Sequence, residues 1–339
     1  MSDIDTQALT RWLGDRLPGE AGLSLERIGG GQSNPTWFVD FGSARLVLRK
    51  KPGGPILKGA HAIEREFRVL TALAGTDIPV PTVRWLEEDD SILGTPFYVM
   101  DRLEGRVFDT ASIEGVSSED RREMYLDYAR TLARLHAVSP DAVGLGDFGK
   151  PGKYFQRQID RWSRQYAGSD GPRIPALDRL TEWLPANLPD EDGAVSIAHG
   201  DFRIGNLMYH PTEPKVIAVL DWELATLGHP LADLGYAVMP WRTAPEEYGG
   251  ILGTDWADAG IPTEAEFIAE YMALAQPAGE LRPSHVAFAL FRFAVIFVGI
   301  ADRVRAGSSN SDNAASLGPL AKQFADRALE AAGLDGMET

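Results

Sequence analysis

Three side chains define the chemistry open to this sequence: the carboxylate of Asp201, the amide of Asn206 and the carboxylate of Asp221. The first two lie in the run His199-Gly200-Asp201-Phe202-Arg203-Ile204-Gly205-Asn206, and the third ends an apolar run just before Trp222-Glu223. Phosphoryl transfer needs such a set. One carboxylate receives or orients the proton of an attacking hydroxyl, while an amide oxygen and a second carboxylate hold Mg²⁺ against nucleotide phosphates. The transition state is loose, so fixed positions for a few groups can carry most of the catalysis. Asp201 is the candidate base, and Asn206 and Asp221 are candidate metal ligands. Gly200 and Gly205 are expected to let the backbone turn tightly. A surface loop with capping Asp and Asn would use the same residue types. Asp221 argues against that bland reading. Residues 216–220 read as a strand and residues 211–215 as a turn back to Leu207-Met208-Tyr209, a hairpin expected to return Asp221 toward Asn206. Oxygen ligands there would suit Mg²⁺. Glu223 either supports that seat or faces solvent.

Phosphates also need donors upstream. Gly29-Gly30-Gly31-Gln32-Ser33-Asn34 lies between strand-like residues 23–28 and 36–41. Backbone N–H groups can approach a phosphate closely at such glycines. The loop misses the Rossmann fingerprint, because Asn34 stands where the last Gly would be and a strand follows. Alone it reads as a hairpin turn; ahead of the Asp201 loop, Gly30, Gly31, Gln32, Ser33 and Asn34 become candidate nucleotide contacts. On a third strand, residues 45–49, alternation puts Val47 and Arg49 on one face and Leu48 and Lys50 on the other. Arg49 is the first choice for a phosphate-binding cation and Lys50 the alternative. Its partner of choice is Glu66, on a helix over residues 61–73, with Glu64 as competitor. Exposed charge remains the plain alternative for Lys50, Lys51 and Glu64.

The elements that must position these groups divide by composition. A helix over residues 6–17, the strands above and a strand pair at residues 82–87 and 97–100 make the first part rich in strand. Helical periodicity dominates afterwards, at residues 121–138, 154–166, 176–184, 263–275 and 283–304. The class is α+β, with an N-terminal lobe of residues 1–101 and a mostly helical lobe of residues 102–339. Residues 286–300 are apolar but interrupted by Arg292 and short for a membrane span, so a buried helix is expected. Arg292 then needs a partner, and a buried ion pair is the expectation.

At 339 residues, with 44% hydrophobic and 24% charged residues, the composition is that of a globular protein. A net charge of −16 argues against nucleic acid or an anionic membrane as partner. It would weakly attract cationic substrates, although solubility explains it better than a substrate does. Cysteine is absent, which removes disulfides and thiolate chemistry. The histidines show no metal-ligand spacing. The acidic N-terminus lacks an apolar core, so a cytoplasmic location is expected.

With these residues in view, the chain resembles the aminoglycoside phosphotransferase and choline kinase superfamily. His199-Gly200-Asp201, Asn206 and Asp221 carry the likeness, with Arg134-Leu135-His136 and Gly228-His229-Pro230-Leu231-Ala232-Asp233-Leu234 beside them. The resemblance implies a bilobal protein-kinase-like fold, ATP and Mg²⁺ as cofactors, and a small-molecule hydroxyl as acceptor. It implies a structural role for Asp233, and it makes Met100-Asp101-Arg102 similar to a hinge whose backbone reads adenine. Arg49 stands where many members have Lys, yet can clamp phosphates bidentately. A closer likeness is to the kinase-like domain associated with acyl-CoA dehydrogenases. It is carried by residues 29–34, Val47-Leu48-Arg49-Lys50-Lys51-Pro52, residues 60–66, Tyr154-Phe155-Gln156-Arg157-Gln158 with Arg161-Trp162, and residues 199–207. That implies a hydroxyacyl-CoA or hydroxy acid as acceptor. The competing readings are a kinase of an amino sugar or amino alcohol and a non-catalytic nucleotide-binding module. Arg203 is placed to neutralise the γ-phosphate or the acceptor; Arg157 and Arg161, on one helix face, read first as solvated helix charge and otherwise as lining for an acceptor pocket.

Overall fold

The computed structural model describes residues 4–29, 34–53, 62–150, 152–188, 192–275, 279–307 and 318–334. Gly30, Gly31, Gln32 and Ser33 lie outside the described residues. The chain separates into two compact units, Met1–Gly105 with Ala218–Leu224, and Arg106–Ile217 with Ala225–Thr339.

Unit 1 is built on five antiparallel strands: β1 (Leu23–Arg27), β2 (Thr36–Phe41), β3 (Ala44–Lys50), β4 (Val83–Glu87) and β5 (Phe97–Asp101), ordered β1-β2-β3-β5-β4. Alternation along β2 and β3 turns Trp37, Val39, Phe41, Leu46 and Leu48 to one face. There they form a core with Leu9, Trp12 and Leu13 of α1 (Thr6–Arg16). Asp5 caps α1 by accepting from the N–H groups of Gln7 and Ala8. The opposite face carries Val47 and Arg49. Helix α2 (Ile63–Leu73) buries Ile63, Val69, Leu70 and Leu73 together with Glu66. One turn of helix, α3 (Asp90–Leu93), joins β4 to β5.

Unit 1 runs on past β5 to Gly105, and the residues after the strand stay attached to the sheet. Arg102 donates its backbone N–H to Arg45 O, and its guanidinium lies 4.0 Å from the Phe38 ring centre and 3.9 Å from Asp40. Ala218–Leu224 joins unit 1 through Val219 N–H to Pro79 O at 2.8 Å and a 3₁₀ turn, Trp222–Leu224, packed on α2.

Unit 2 contains α4 (Ser118–Ala137), α5 (Tyr154–Ala167), α6 (Pro175–Asn187), α7 (Pro230–Ala237), α8 (Glu264–Leu274), α9 (Pro283–Arg305) and α10 (Leu320–Ala331). Two short ladders sit among them. β6 (Ser196–Ala198) pairs antiparallel with β9 (Thr226–Gly228), and β7 (Leu207–Tyr209) pairs with β8 (Val216–Val219), of which Val216 and Ile217 belong to this unit. A capping box of Thr263 and Glu266 starts α8. By length and composition α9 could cross a membrane, but most of its apolar residues are buried against α5, α6, α7 and α10. Helices α7 and α10 go beyond the sequence reading. All eight residues of α7 are buried, so it shows no polar face for periodicity to detect.

Candidate active site

In unit 1 the strand and helix chosen from sequence meet. Arg49 lies opposite Tyr98 in the β3–β5 register, on the face toward α2. Its Nε is 2.7 Å from Glu66 Oε2, its Nη2 donates to Glu66 Oε1 at 3.0 Å, and the same Nη2 donates to Asp221 Oδ1 at 2.6 Å. Glu66 is 1% exposed and also accepts from Tyr98 Oη at 3.0 Å and Asn34 Nδ2 at 3.1 Å. Burial holds Glu66 above the ordinary carboxylate range, against the pull of Arg49. Burial also works against the Arg49 charge, yet Glu66, Tyr98 and Asp221 together hold its affinity for the proton above the ordinary value. The alternatives separate from this cluster. Lys50 is buried on the other face of β3, opposite Phe97 of the core, and Glu64 lies 3.8 Å from Lys51.

Asp221 holds a left-handed backbone, φ +60°, which costs free energy for a residue with a Cβ. The conformation aims the carboxylate at Arg49. Glu223 joins the group: one oxygen each from Glu66, Asp221 and Glu223 lie within 4.8 Å of one another. Three hard oxygen donors at that spacing suit a divalent cation such as Mg²⁺. Met100 faces Val47 and Val83 across its two ladders, and Arg102 is engaged by Asp40 and by Glu104 at 3.2 Å.

In unit 2 the loop after β6 is gripped from beneath. Asp233 Oδ2 accepts from His199 N–H at 2.6 Å and Oδ1 from Gly200 N–H at 3.0 Å. His136 Nε2 lies 3.4 Å from Asp233 Oδ2, and His136 Nδ1 is 2.7 Å from Tyr271 Oη. Complete burial opposes the Asp233 charge, but His136, His199 and the N–H bonds hold its carboxyl below the usual range. The structural role implied for Asp233 thus has a physical form: it fixes the loop backbone. Gly200, φ +82°, supplies the turn. Gly205 does something else. It has no left-handed φ, and a Cβ there would lie 2.3 Å from Arg203 Nη1, so its bare backbone makes room for that guanidinium.

Asp201 is held by neutral donors. Asn206 Nδ2 donates at 2.8 Å to both Asp201 Oδ2 and Asp201 O, and Tyr236 Oη donates to Asp201 Oδ1. Arg203 Nε stands 3.5 Å from Oδ1. Burial disfavours the Arg203 charge, while Asp201 more than restores it. Burial, then Asp201, keeps the Tyr236 phenol protonated well beyond its ordinary range. Sequence reasoning missed Tyr236. The available signal was its place three residues after Asp233, one helical turn along α7, which puts both on the side facing the loop. Arg203, Tyr236, Asp109, Tyr248 and Phe324 line a cavity of about 480 Å³, counting its open mouth.

The structure therefore pairs Arg49 with Glu66 and Asp221 in unit 1, and Asp201 with Asn206 and Arg203 in unit 2. The family model described as "Phosphotransferase enzyme family" matches residues 24–271. Acyl-CoA dehydrogenase family member 10 of Mus musculus is 40% identical over 318 residues, covering 93% of this chain. The chain spans only 30% of that protein's length. A solved structure from Ralstonia eutropha, assigned as an aminoglycoside phosphotransferase, is 45% identical with a TM-score of 0.87, covering 97% of this chain and 98% of that one. An aminoglycoside phosphotransferase solved as a ternary complex with AMP-PNP and hygromycin B shares the fold at 15% identity and a TM-score of 0.59, covering 97% of this chain and all of that one.

Proposed function

We propose a reaction on one premise: this chain belongs to the phosphotransferase enzyme family. The reaction is transfer of the γ-phosphoryl group of ATP to a hydroxyl of a small molecule. The observation that carries it is the Asp201 carboxylate, oriented by Asn206 and Tyr236 on a loop whose backbone Asp233 fixes. A carboxylate held this way can accept the proton of an attacking hydroxyl as the oxygen–phosphorus bond forms. Arg203 offsets negative charge on the transferring group or the acceptor. Arg49, kept charged by Glu66, holds nucleotide phosphates, and residues 30–34 contribute backbone donors. Met100 and Arg102 are the proposed hinge beside adenine. Asp221 and Asn206 each offer an oxygen of the kind Mg²⁺ takes, and the bound ion would neutralise phosphate charge. ATP as donor is supported by the fold neighbour that holds AMP-PNP.

For the acceptor, a hydroxyacyl-CoA or hydroxy acid is the first reading, supported by similarity to part of an acyl-CoA dehydrogenase family member. An amino sugar or amino alcohol is the second, favoured by the net charge of −16 and by the aminoglycoside phosphotransferase neighbours. We place the reaction in the cytoplasm, where ATP is at hand. The deciding experiment is an ATP-consumption screen with Mg²⁺ across hydroxyacyl-CoAs, hydroxy acids, amino sugars and amino alcohols, alongside nucleotide calorimetry. Acceptor-dependent turnover supports the kinase. Nucleotide binding with no turnover on any class would leave a non-catalytic binding module, and no Mg²⁺-dependent nucleotide binding removes the donor assignment.

A further inference from the structure

Arg292, in the middle of α9, lacks the ion pair that its apolar surroundings call for. Among the described residues no carboxylate pairs with it and no oxygen accepts from its guanidinium, and its Nε is buried without a partner. Its neighbour is an aromatic face: the guanidinium carbon lies 5.8 Å from the ring centre of Trp162 on α5. Arg161, exposed on α5, lies 5.0 Å from the same ring and likewise has no acidic partner among the described residues. The indole N–H of Trp162 is buried with no acceptor among the described residues. Acidic residues outnumber basic ones 49 to 33 in this chain, so two arginines left without carboxylates around one ring is a departure from what the composition favours. A buried guanidinium Nε and a buried indole N–H without acceptors call for a partner that none of the described residues supplies.

The place of the cluster ties it to the loop that carries Asp201. Tyr154, at the start of α5, packs on the β6–β9 ladder so closely that a Cβ on Gly228 would lie 2.9 Å from both its ring and Ala198. Ala198 ends β6, and the next residues are His199, Gly200 and Asp201. Burial pushes the Tyr154 phenol up to about 12; Arg292 pulls the other way, Asp233 adds to the rise, and Arg157 and Arg161 side with Arg292, so the phenol lies in the field of three arginines and one carboxylate. Cationic forks, an indole N–H and a phenol are donors that suit an oxyanion, and an aromatic face steadies a guanidinium plane.

We propose that Tyr154, Arg161, Trp162 and Arg292 form an oxyanion subsite in unit 2, which takes a carboxylate or phosphate group of the phosphoryl acceptor. The word acceptor rests on the kinase reading; the binding of an oxyanion does not. The subsite selects for anionic acceptors over cationic amino sugars.

The test uses the full chain, ¹⁵N-labelled and free of nucleotide, and follows the tryptophan indole N–H resonances. That of Trp162 is assigned by its loss in Trp162→Phe. Inorganic phosphate, pyrophosphate and butyrate are titrated in turn, with sodium chloride at matched ionic strength as reference. A saturable shift of the Trp162 resonance with an oxyanion and not with chloride is expected. The midpoint should weaken at least about ten-fold in Arg292→Met, as for loss of a charge-assisted hydrogen bond, and by a smaller factor in Arg161→Gln. Arg161 is exposed, so Arg161→Gln keeps the test standing even if Arg292→Met does not fold. Response to phosphate or pyrophosphate alone assigns a phosphoryl group, and response to butyrate alone a carboxylate. A resonance unmoved by all three, moved equally by chloride, or unchanged in midpoint by both substitutions overturns the subsite. No nucleotide is present, so failure of ATP turnover and failure of anion binding are read separately.

Discussion

Asp221, the candidate metal ligand, and Asp201, the candidate base, are held by opposite means. Asp221 in unit 1 meets a guanidinium at 2.6 Å and belongs to a group of three carboxylates. Asp201 in unit 2 is held by an amide and a phenol, with Arg203 at the longer distance of 3.5 Å. The first arrangement fixes charge, as phosphates and a divalent cation require. The second fixes direction, as a proton acceptor requires, and leaves the carboxylate lone pairs for a hydroxyl. One site needs a strong field, the other a steady aim.

Substitutions can break this contrast from either end. The largest effect should come from Asp201→Ala, which should lower kcat by roughly 10²–10⁴-fold while Mg²⁺-nucleotide affinity in calorimetry stays near wild type. Equal loss of nucleotide binding would erase the distinction. Arg49→Met should strand the buried Glu66 charge and cost about 3–5 kcal/mol in urea unfolding. Its pH dependence sharpens the point. Burial already raises Glu66 above its unfolded value, so the stabilising state is the protonated one, lost as pH rises through the folded value. Removing Arg49 raises Glu66 further, so the deficit should be largest near neutral pH and shrink in mild acid. A deficit constant across pH would show that Glu66 is not the stranded charge.

Asp221→Ala should weaken Mg²⁺-nucleotide binding about 10–100-fold, measured by competition with a fluorescent nucleotide; unaltered affinity would detach Asp221 from the metal. Tyr236→Phe should have the smallest effect, about a ten-fold loss of kcat with unaltered nucleotide binding, as for one hydrogen bond to a charged group. Unchanged kcat would make Tyr236 a packing residue, consistent with its ring stacked 5.1 Å from Phe293.

Much of this was legible in the sequence because local rules decided it. Strand alternation alone put Arg49 and Lys50 on opposite faces, and the structure pairs Arg49 with Glu66 accordingly. The order of Asp201, Asn206 and Asp221 carried the family likeness. What stayed hidden depended on tertiary partners. Tyr236 sits in a helix with no exposed face, so periodicity was silent there. Glu223 reads like any turn acid until its chain segment returns to α2. Arg292 reversed its expectation, because burial predicts that a partner is needed without saying what kind.

That returning segment has a consequence for synthesis. Unit 1 takes most of its chain from the first 105 residues but is completed only by Ala218–Leu224. On the ribosome the five-stranded sheet and α2 emerge first, with Arg49 and Glu66 able to pair. Asp221 and Glu223 follow only after α4, α5 and α6 have been made. Growing the chain from its N-terminus therefore yields a sheet before it yields a carboxylate cluster. A nascent chain stalled before residue 218 would carry the cation of unit 1 without two of its three acids.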